Sequence, residues 1–226
     1  MAEFDDIAAC VFDAYGTLYD FNSAAERCRG ELGGKADELS ALWRQKQLQY
    51  TWLRSLMGAY APFWQVTGEA LDFALETLGF ASPPLRERLM NLYREIDPFP
   101  EVPGVLARLK AGGLRLAILS NGSPDMLAPA ARHSGLDQLL EASLSVDAVG
   151  IYKPDRRVYQ LACDHFRIAP AKVAFFSSNG WDAHGAAHFG FKTVWLNRTG
   201  QRNERLPGAL LRECRTLADL PALLGR

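Results

Sequence analysis

Long apolar runs are missing from this chain. None approaches the ~20 consecutive apolar residues that a membrane-spanning helix requires, so no helical membrane anchor is expected. The start, MAEFDDIAAC, is acidic and lacks a basic stretch followed by an apolar one, so no signal peptide is expected either. Excess charge is missing too. The formal net charge is -1, which offers no bulk field for nucleic acid or for a membrane surface. Cysteine is sparse: Cys10, Cys28, Cys163 and Cys214 are scattered and form no C-x-x-C pair. That spacing fits reduced thiols in a cytoplasmic protein better than a disulfide framework or a zinc site. Histidine is equally thin. His184 and His188 stand four apart on a predicted helix, but no H-E-x-x-H context or third ligand accompanies them, so they read as ordinary helix residues and no metal site is expected. Internal repeats and low-complexity tracts are also absent.

What remains is a globular composition, 48% hydrophobic and 23% charged over 226 residues, enough for a substantial core plus an insertion. Four short apolar runs read as strands: Ile7 to Phe12, Leu114 to Ser120, Lys172 to Ser178 and Lys192 to Asn197. The stretches DMLAPAARHSG, PDRRVYQLACDHF and WDAHGAAHFG between and after them carry helical spacing. Alternation of this kind predicts βαβ units and a parallel sheet of the α/β class. One segment breaks it. From about Phe21 to about Pro98 the apolar residues recur at helical intervals with no convincing strand, and the segment closes on the Pro-rich DPFPEVPG. The expectation is a Rossmann-like core of residues 1–20 and 99–226 with a helical cap of residues 21–98 inserted after the first strand. Trp43, Trp52 and Trp64 are expected to pack the cap. The basic run around Arg198, Arg202 and Arg205 reads as a solvated loop, and LADLPALLG as a short closing helix.

Polar residues collect where the predicted strands end. The first run delivers Asp13, then Gly16 and Thr17; the second ends in Ser120-Asn121-Gly122; the third in Ser177-Ser178-Asn179-Gly180, with Asp182 beyond. GIYKPD adds Lys153, and Tyr159 follows. Singly, an Asp after a strand also suits a helix N-cap and Ser-Asn-Gly an ordinary turn. Together, if the strands are parallel neighbours, these ends converge on one crevice at the carboxyl edge of the sheet, where such sheets bind ligands.

VFDAYGTLYD, SNGSPDML, KPDRRVY and SSNGWDAHGA resemble, in order, the four motifs of the haloacid dehalogenase superfamily. WRQKQLQYTWLRSLM in the helical segment resembles its L-2-haloacid dehalogenase branch. Phosphatases of that superfamily carry a second Asp two residues after the nucleophile and an acidic pair in the last motif that helps hold Mg²⁺. Here Tyr15 stands at the first position and Ser and Asn at the second. A halide leaving group needs no proton, so the departures fit attack at carbon rather than phosphoryl transfer.

The resemblance implies hydrolysis of short (S)-2-haloalkanoic acids to (R)-2-hydroxy acids without a cofactor. Asp13 would be the nucleophile, forming an aspartyl ester. Lys153 would keep it ionised, and Thr17 and Ser177 would orient it. Arg44 and Asn121 would take the leaving halide, and Ser120 with nearby backbone N–H groups the substrate carboxylate. Asp182, assisted by Asn179, would activate the water that cleaves the ester. Tyr159 resembles a tyrosine that hydrogen-bonds toward the nucleophile. Tyr15, Gln45, Leu48, Phe63 and Trp181 would wall the alkyl group. The expected partners are the haloacid and the halide ion, with no nucleic acid and no membrane, and by analogy a second copy in a homodimer. The alternatives are an aspartate-nucleophile hydrolase for fluoroacetate or another carbon electrophile, a Mg²⁺-dependent phosphatase, and a non-catalytic binding module on the same fold.

Overall fold

Six parallel strands carry the fold of the computed structural model, which describes residues 4–21, 26–80 and 82–226. Residues 1–3 of the acidic start, and 22–25 and 81 of the expected cap, lie outside the described residues. The strands are β1 (Ala9–Phe12), β2 (Arg115–Ser120), β3 (Ala142–Ser145), β4 (Val173–Ser177), β5 (Lys192–Leu196) and β6 (Arg212–Cys214). Their order is β3-β2-β1-β4-β5-β6, so the chain winds outward from β1 in both directions. The apolar runs of β1, β2, β4 and β5 are nearly continuous because helices cover both faces of such a sheet. All four residues of β1 are fully buried. The register pairs Phe12 with both Ile118 and Phe176, which brings the carboxyl ends of the three central strands level. The point where the winding reverses, between β1 and β4, is where a crevice opens in this topology.

Two strands escape the sequence pattern. β3 (ASLS) and β6 (REC) are the sheet edges, short and partly exposed, and so carry no apolar run to read.

The helices are α1 (Arg29–Leu32), α2 (Ala36–Met57), α3 (Phe63–Leu78), α4 (Pro83–Leu92), α5 (Val102–Ala111), α6 (Pro124–His133), α7 (Arg156–Phe166), α8 (Gly180–Phe189) and α9 (Leu220–Leu223). None of the described helices is long and apolar enough to cross a membrane. Between β1 and β2 the regular elements of the described residues are all helices, joined by turns, with isolated bridges at Tyr15, Tyr19 and Pro98. The long helix α2 stops at Gly58, whose φ of 66° is the left-handed geometry that ends helices. Its buried stripe of Leu39, Trp43, Gln47 and Thr51 faces α3, and Trp43 Nε1 donates to Thr67 O at 2.9 Å. The chain leaves and re-enters the sheet through a pinned pair of stems. Phe99 N–H donates to Leu18 O at 2.9 Å and Asp20 N–H to Asp97 O at 3.1 Å.

Trp52 does more than pack the helical segment. Its ring meets Trp181 edge-on at 5.4 Å, across to the N-terminus of α8. Arg198 is not solvated: its side chain keeps only 14% of its exposure, whereas Arg202 and Arg205 are exposed as expected. His184 binds Gly208 O and Asn203 Oδ1, both at 2.9 Å, and ties the loop after β5 to α8; His188 is exposed.

Candidate active site

Asp13 is the first residue beyond β1, and its own N–H still donates to Phe176 O at 2.9 Å. This places a carboxylate at the reversal point, held by the sheet. Gly16 completes the turn with φ of 86°, and a side chain there would press on Ser178 and Phe21. Asp13 is 7% exposed and has three donors. Lys153 Nζ donates to Oδ1 at 3.1 Å, Thr17 Oγ1 to Oδ2 at 3.1 Å and Asn179 Nδ2 to Oδ2 at 2.8 Å. Three donors from three separate segments leave the carboxylate little rotational freedom.

Lys153 is the centre of the charge arrangement. Its side chain is 1% exposed and bridges Asp13 and Asp182, the latter at 2.8 Å. Burial works against the ammonium, yet the two carboxylates overcome it and hold its pKa above the ordinary lysine value. Burial pushes the Asp182 carboxyl up, and Asp13 adds to that; Lys153 and Tyr159 oppose the rise without cancelling it. One cation stands between two buried carboxylates, and a guanidinium joins the same cluster through Asn179.

That guanidinium is Arg44. It hangs from α2, with Nη1 donating to Gln47 Oε1 at 2.7 Å and Nη2 to Asn179 Oδ1 at 3.2 Å. Gln47 in turn donates to Thr67 Oγ1 at 2.7 Å. The Asn179 amide therefore has a forced orientation, its NH₂ on the Asp13 carboxylate and its oxygen on the guanidinium. Gln47 was not singled out in the sequence, although a signal exists: it is a glutamine on the otherwise mainly apolar buried stripe of α2.

The other expected site residues fall in different places. Tyr159 is not bonded to Asp13; its hydroxyl donates to Asp182 Oδ1 at 2.8 Å, as α7 packs beside α8. Ser177 does not orient Asp13 either. Its Oγ accepts from Asn179 N–H at 3.2 Å and so shapes the turn after β4, while the hydroxyl next along, Ser178 Oγ, lies 3.2 Å from Thr17 Oγ1. Gln45 sits on the exposed face of α2, one residue off the buried stripe. Ser120 is fully buried and accepts from Gly122 N–H at 3.0 Å. Asn121 uses its side-chain oxygen to accept from Lys153 N–H at 3.1 Å, so any contact with a ligand falls to its NH₂. Tyr15 is 3% exposed, with its ring 6.1 Å from Phe63 and 5.5 Å from Tyr93; its hydroxyl is buried with no partner among the described residues. Leu48 and Trp181 join Arg44, Phe21, Phe99 and Asn179 in lining a crevice of about 490 Å³ that opens beside the Asp13 turn.

Chemically, the cluster offers one positioned carboxylate able to act as a nucleophile, a buried ammonium, a guanidinium that lies over the Phe21 ring at the crevice, and a second carboxylate across the ammonium from the first. Among the described residues no three His, Cys, Asp or Glu side chains are grouped as metal ligands.

Comparison with known proteins adds the following. A family model described as haloacid dehalogenase-like hydrolase matches residues 7–190. The (S)-2-haloacid dehalogenase 1 of Pseudomonas sp. strain CBS-3 is 50% identical over 223 residues, 98% of this chain and 98% of that one. A crystal structure of a dehalogenase superposes with a TM-score of 0.96 at 48% identity, covering 98% of this chain and 99% of the other. The L-2-haloacid dehalogenase of Xanthobacter autotrophicus, solved with chloropropionic acid covalently bound, superposes with a TM-score of 0.91 at 37% identity, covering 97% and 98%.

Proposed function

The chain belongs to the haloacid dehalogenase-like hydrolases, and from that membership and the setting of Asp13 we infer that it is an (S)-2-haloacid dehalogenase. It hydrolyses short (S)-2-haloalkanoic acids to (R)-2-hydroxy acids through an aspartyl ester. The observation that carries this reading is a lone strand-end carboxylate with a buried lysine on one oxygen and a tyrosine, not a second acid, two residues on.

Asp13 attacks C2 of the substrate from the side opposite the halogen. A C2–O bond forms, the carbon–halogen bond breaks, and halide leaves with the bonding pair. Lys153, Thr17 and Asn179 aim the carboxylate, so the reaction starts from a near-attack geometry. Arg44, with the Asn121 NH₂ assisting, takes the charge that develops on the halide. A guanidinium suits this because it stays charged and is weakly hydrated. Ser120 and the turn N–H groups receive the substrate carboxylate, and Tyr15, Leu48, Phe63 and Trp181 wall its alkyl group. Water then attacks Cγ of the ester, and Asp182, anchored by Lys153 and Tyr159, takes its proton; the Cγ–O bond to the substrate breaks, and that proton passes to the departing oxygen to give the hydroxy acid and free Asp13. Residues 1–20 and 99–226 serve as the core and residues 21–98 as a cap that brings Arg44 to the crevice. The four unpaired cysteines support a cytoplasmic setting, which cell fractionation tests.

The test is a single turnover of (S)-2-chloropropionate in H₂¹⁸O with enzyme in excess. The expected result is chloride, unlabelled (R)-lactate, and ¹⁸O in the peptide that carries Asp13. Labelled lactate in the first turnover means water attacked C2 directly and overturns the ester route; absence of chloride overturns the dehalogenase reading.

A further inference from the structure

We propose that Arg198 is a positioning residue for the nucleophile, clamping the main chain of the Asp13 turn against the stem that re-enters the sheet at Phe99 and Glu101. The proposal rests on the reading of Asp13 as nucleophile and concerns a residue outside the motifs that suggested it.

Arg198 follows β5, and the loop it opens is stiff. Asn197 is 3% exposed, and its Nδ2 donates to Gln201 O at 2.8 Å and Glu213 Oε1 at 2.7 Å. From there the guanidinium reaches two partners far away in sequence. Nη1 donates to Glu101 Oε1 at 2.7 Å, and Nη2 donates to the main-chain carbonyl of Thr17 at 2.8 Å. Its plane lies over the Phe99 ring at 3.8 Å, and Thr216 Oγ1 holds the same Glu101 oxygen at 3.1 Å. A planar fork suits this, donating to two acceptors from its edge while its face stacks on a ring.

The consequence falls on a single proton. The Thr17 hydroxyl has one hydrogen and two acceptors within reach, Asp13 Oδ2 at 3.1 Å and Ser178 Oγ at 3.2 Å. Ser178 N–H donates to the same oxygen at 2.8 Å, which fixes the oxygen and leaves the hydrogen free to turn either way. A movement of Thr17 by a few tenths of an ångström decides which acceptor wins. Arg198 is the cation that holds the Thr17 carbonyl, and through it the hydroxyl stays on Asp13.

The experiment is a double-mutant cycle read by chloride release from (S)-2-chloropropionate: Arg198→Met, Thr17→Val and the pair, with Arg198→Lys as the conservative variant and Arg202→Met as control. Arg198→Met should lower kcat about tenfold while KM moves less than twofold, since misplacing a reacting group costs rate and Arg198, though among the residues lining the crevice, has both Nη groups engaged by Glu101 and Thr17. Arg198→Lys should keep most of that loss, and Arg202→Met should behave as wild type. In the Thr17→Val background, Arg198→Met should cost less than about twofold, because the hydroxyl it acts through is gone. Amides of residues 13–20 should exchange hydrogen faster in Arg198→Met. The same tenfold loss in both backgrounds, a loss carried by KM, or unchanged exchange in residues 13–20 would each overturn the proposal. A wild-type protein that releases no chloride defeats the dehalogenase reading instead, and the exchange experiment still decides the clamp.

Discussion

At the scale of single residues, the chemistry depends on one oxygen pair being charged, aimed and almost dry. Asp13 is 7% exposed, and each of its oxygens has a donor, yet the neighbouring acid that a phosphoryl-transfer site uses is a tyrosine. Asp13→Asn should therefore abolish turnover, since an amide does not form the ester; it keeps the shape of the side chain but has one acceptor oxygen, so it loses either the Lys153 contact or those of Thr17 and Asn179. Chloride release above about a thousandth of the wild-type rate, with deamidation excluded by mass spectrometry, contradicts the assigned nucleophile. Asp182 carries a pH consequence. Burial, then Asp13, raises its pKa, so as pH falls it takes a proton earlier than a free aspartate and ceases to be a base. Esterification removes the Asp13 charge and leaves burial to oppose Lys153 and Tyr159, so decay of a preformed aspartyl ester should slow on the acid side once Asp182 is protonated. A decay rate that shows no acid limb at any pH where the protein stays folded removes Asp182 from that step.

At the scale of elements, α8 has to approach α7 and the Lys153-Pro154 segment very closely. Gly185 permits it. A Cβ at this position would lie 2.6 Å from Tyr159 Oη and 2.7 Å from Pro154 Cβ, distances that real atoms do not sustain. Gly185→Ala should push α8 outward, lengthen the Tyr159–Asp182 and Lys153–Asp182 contacts and lower stability by about 1–3 kcal/mol, the usual cost of overpacking. The expected measurements are a lower Tm together with slower ester decay; a variant with unchanged Tm and rate shows that the helices do not meet so closely. Helix α2 illustrates the reverse dependence, of a residue on its element. Arg44 reaches the crevice because Gln47, one turn along and buried, fixes it from α3 through Thr67.

At the scale of the whole molecule, the ammonium of Lys153 fills the space between two carboxylates, a space that a cation would otherwise take. Turnover is therefore expected to persist after dialysis against EDTA, and loss of chloride release with recovery on adding Mg²⁺ would reverse that conclusion. The surface carries a second consequence. Leu53, Leu56 and Met57 at the end of α2 are 45%, 85% and 75% exposed, an apolar patch on about one turn and a half of helix. We propose that a second copy covers it. Leu56→Glu with Met57→Lys should then shift sedimentation from dimer to monomer; a wild-type protein that sediments as a monomer at micromolar concentration rejects the dimer.

The sequence by itself determined the α/β class, the four central strands and the helical character of the segment after β1. These are local signals: continuous apolar runs where a strand is covered on both faces, and apolar residues at helical spacing where one stripe is covered. It also determined which residues gather, since parallel strands must put Asp13, Ser120 and Ser177 at one edge whatever their neighbours do. It did not determine who bonds to whom. Edge strands β3 and β6 bury too little to leave a pattern. Tyr159 on Asp182, Asn121 on the Lys153 main chain, Gln45 facing outward with Gln47 facing inward, and Arg198 on the Thr17 carbonyl all depend on helix rotation and loop paths. Such choices are decided by ångström-scale packing between elements distant in the chain. A change of one residue in position around a helix, or of one helix's tilt, exchanges one partner for another without altering any local propensity.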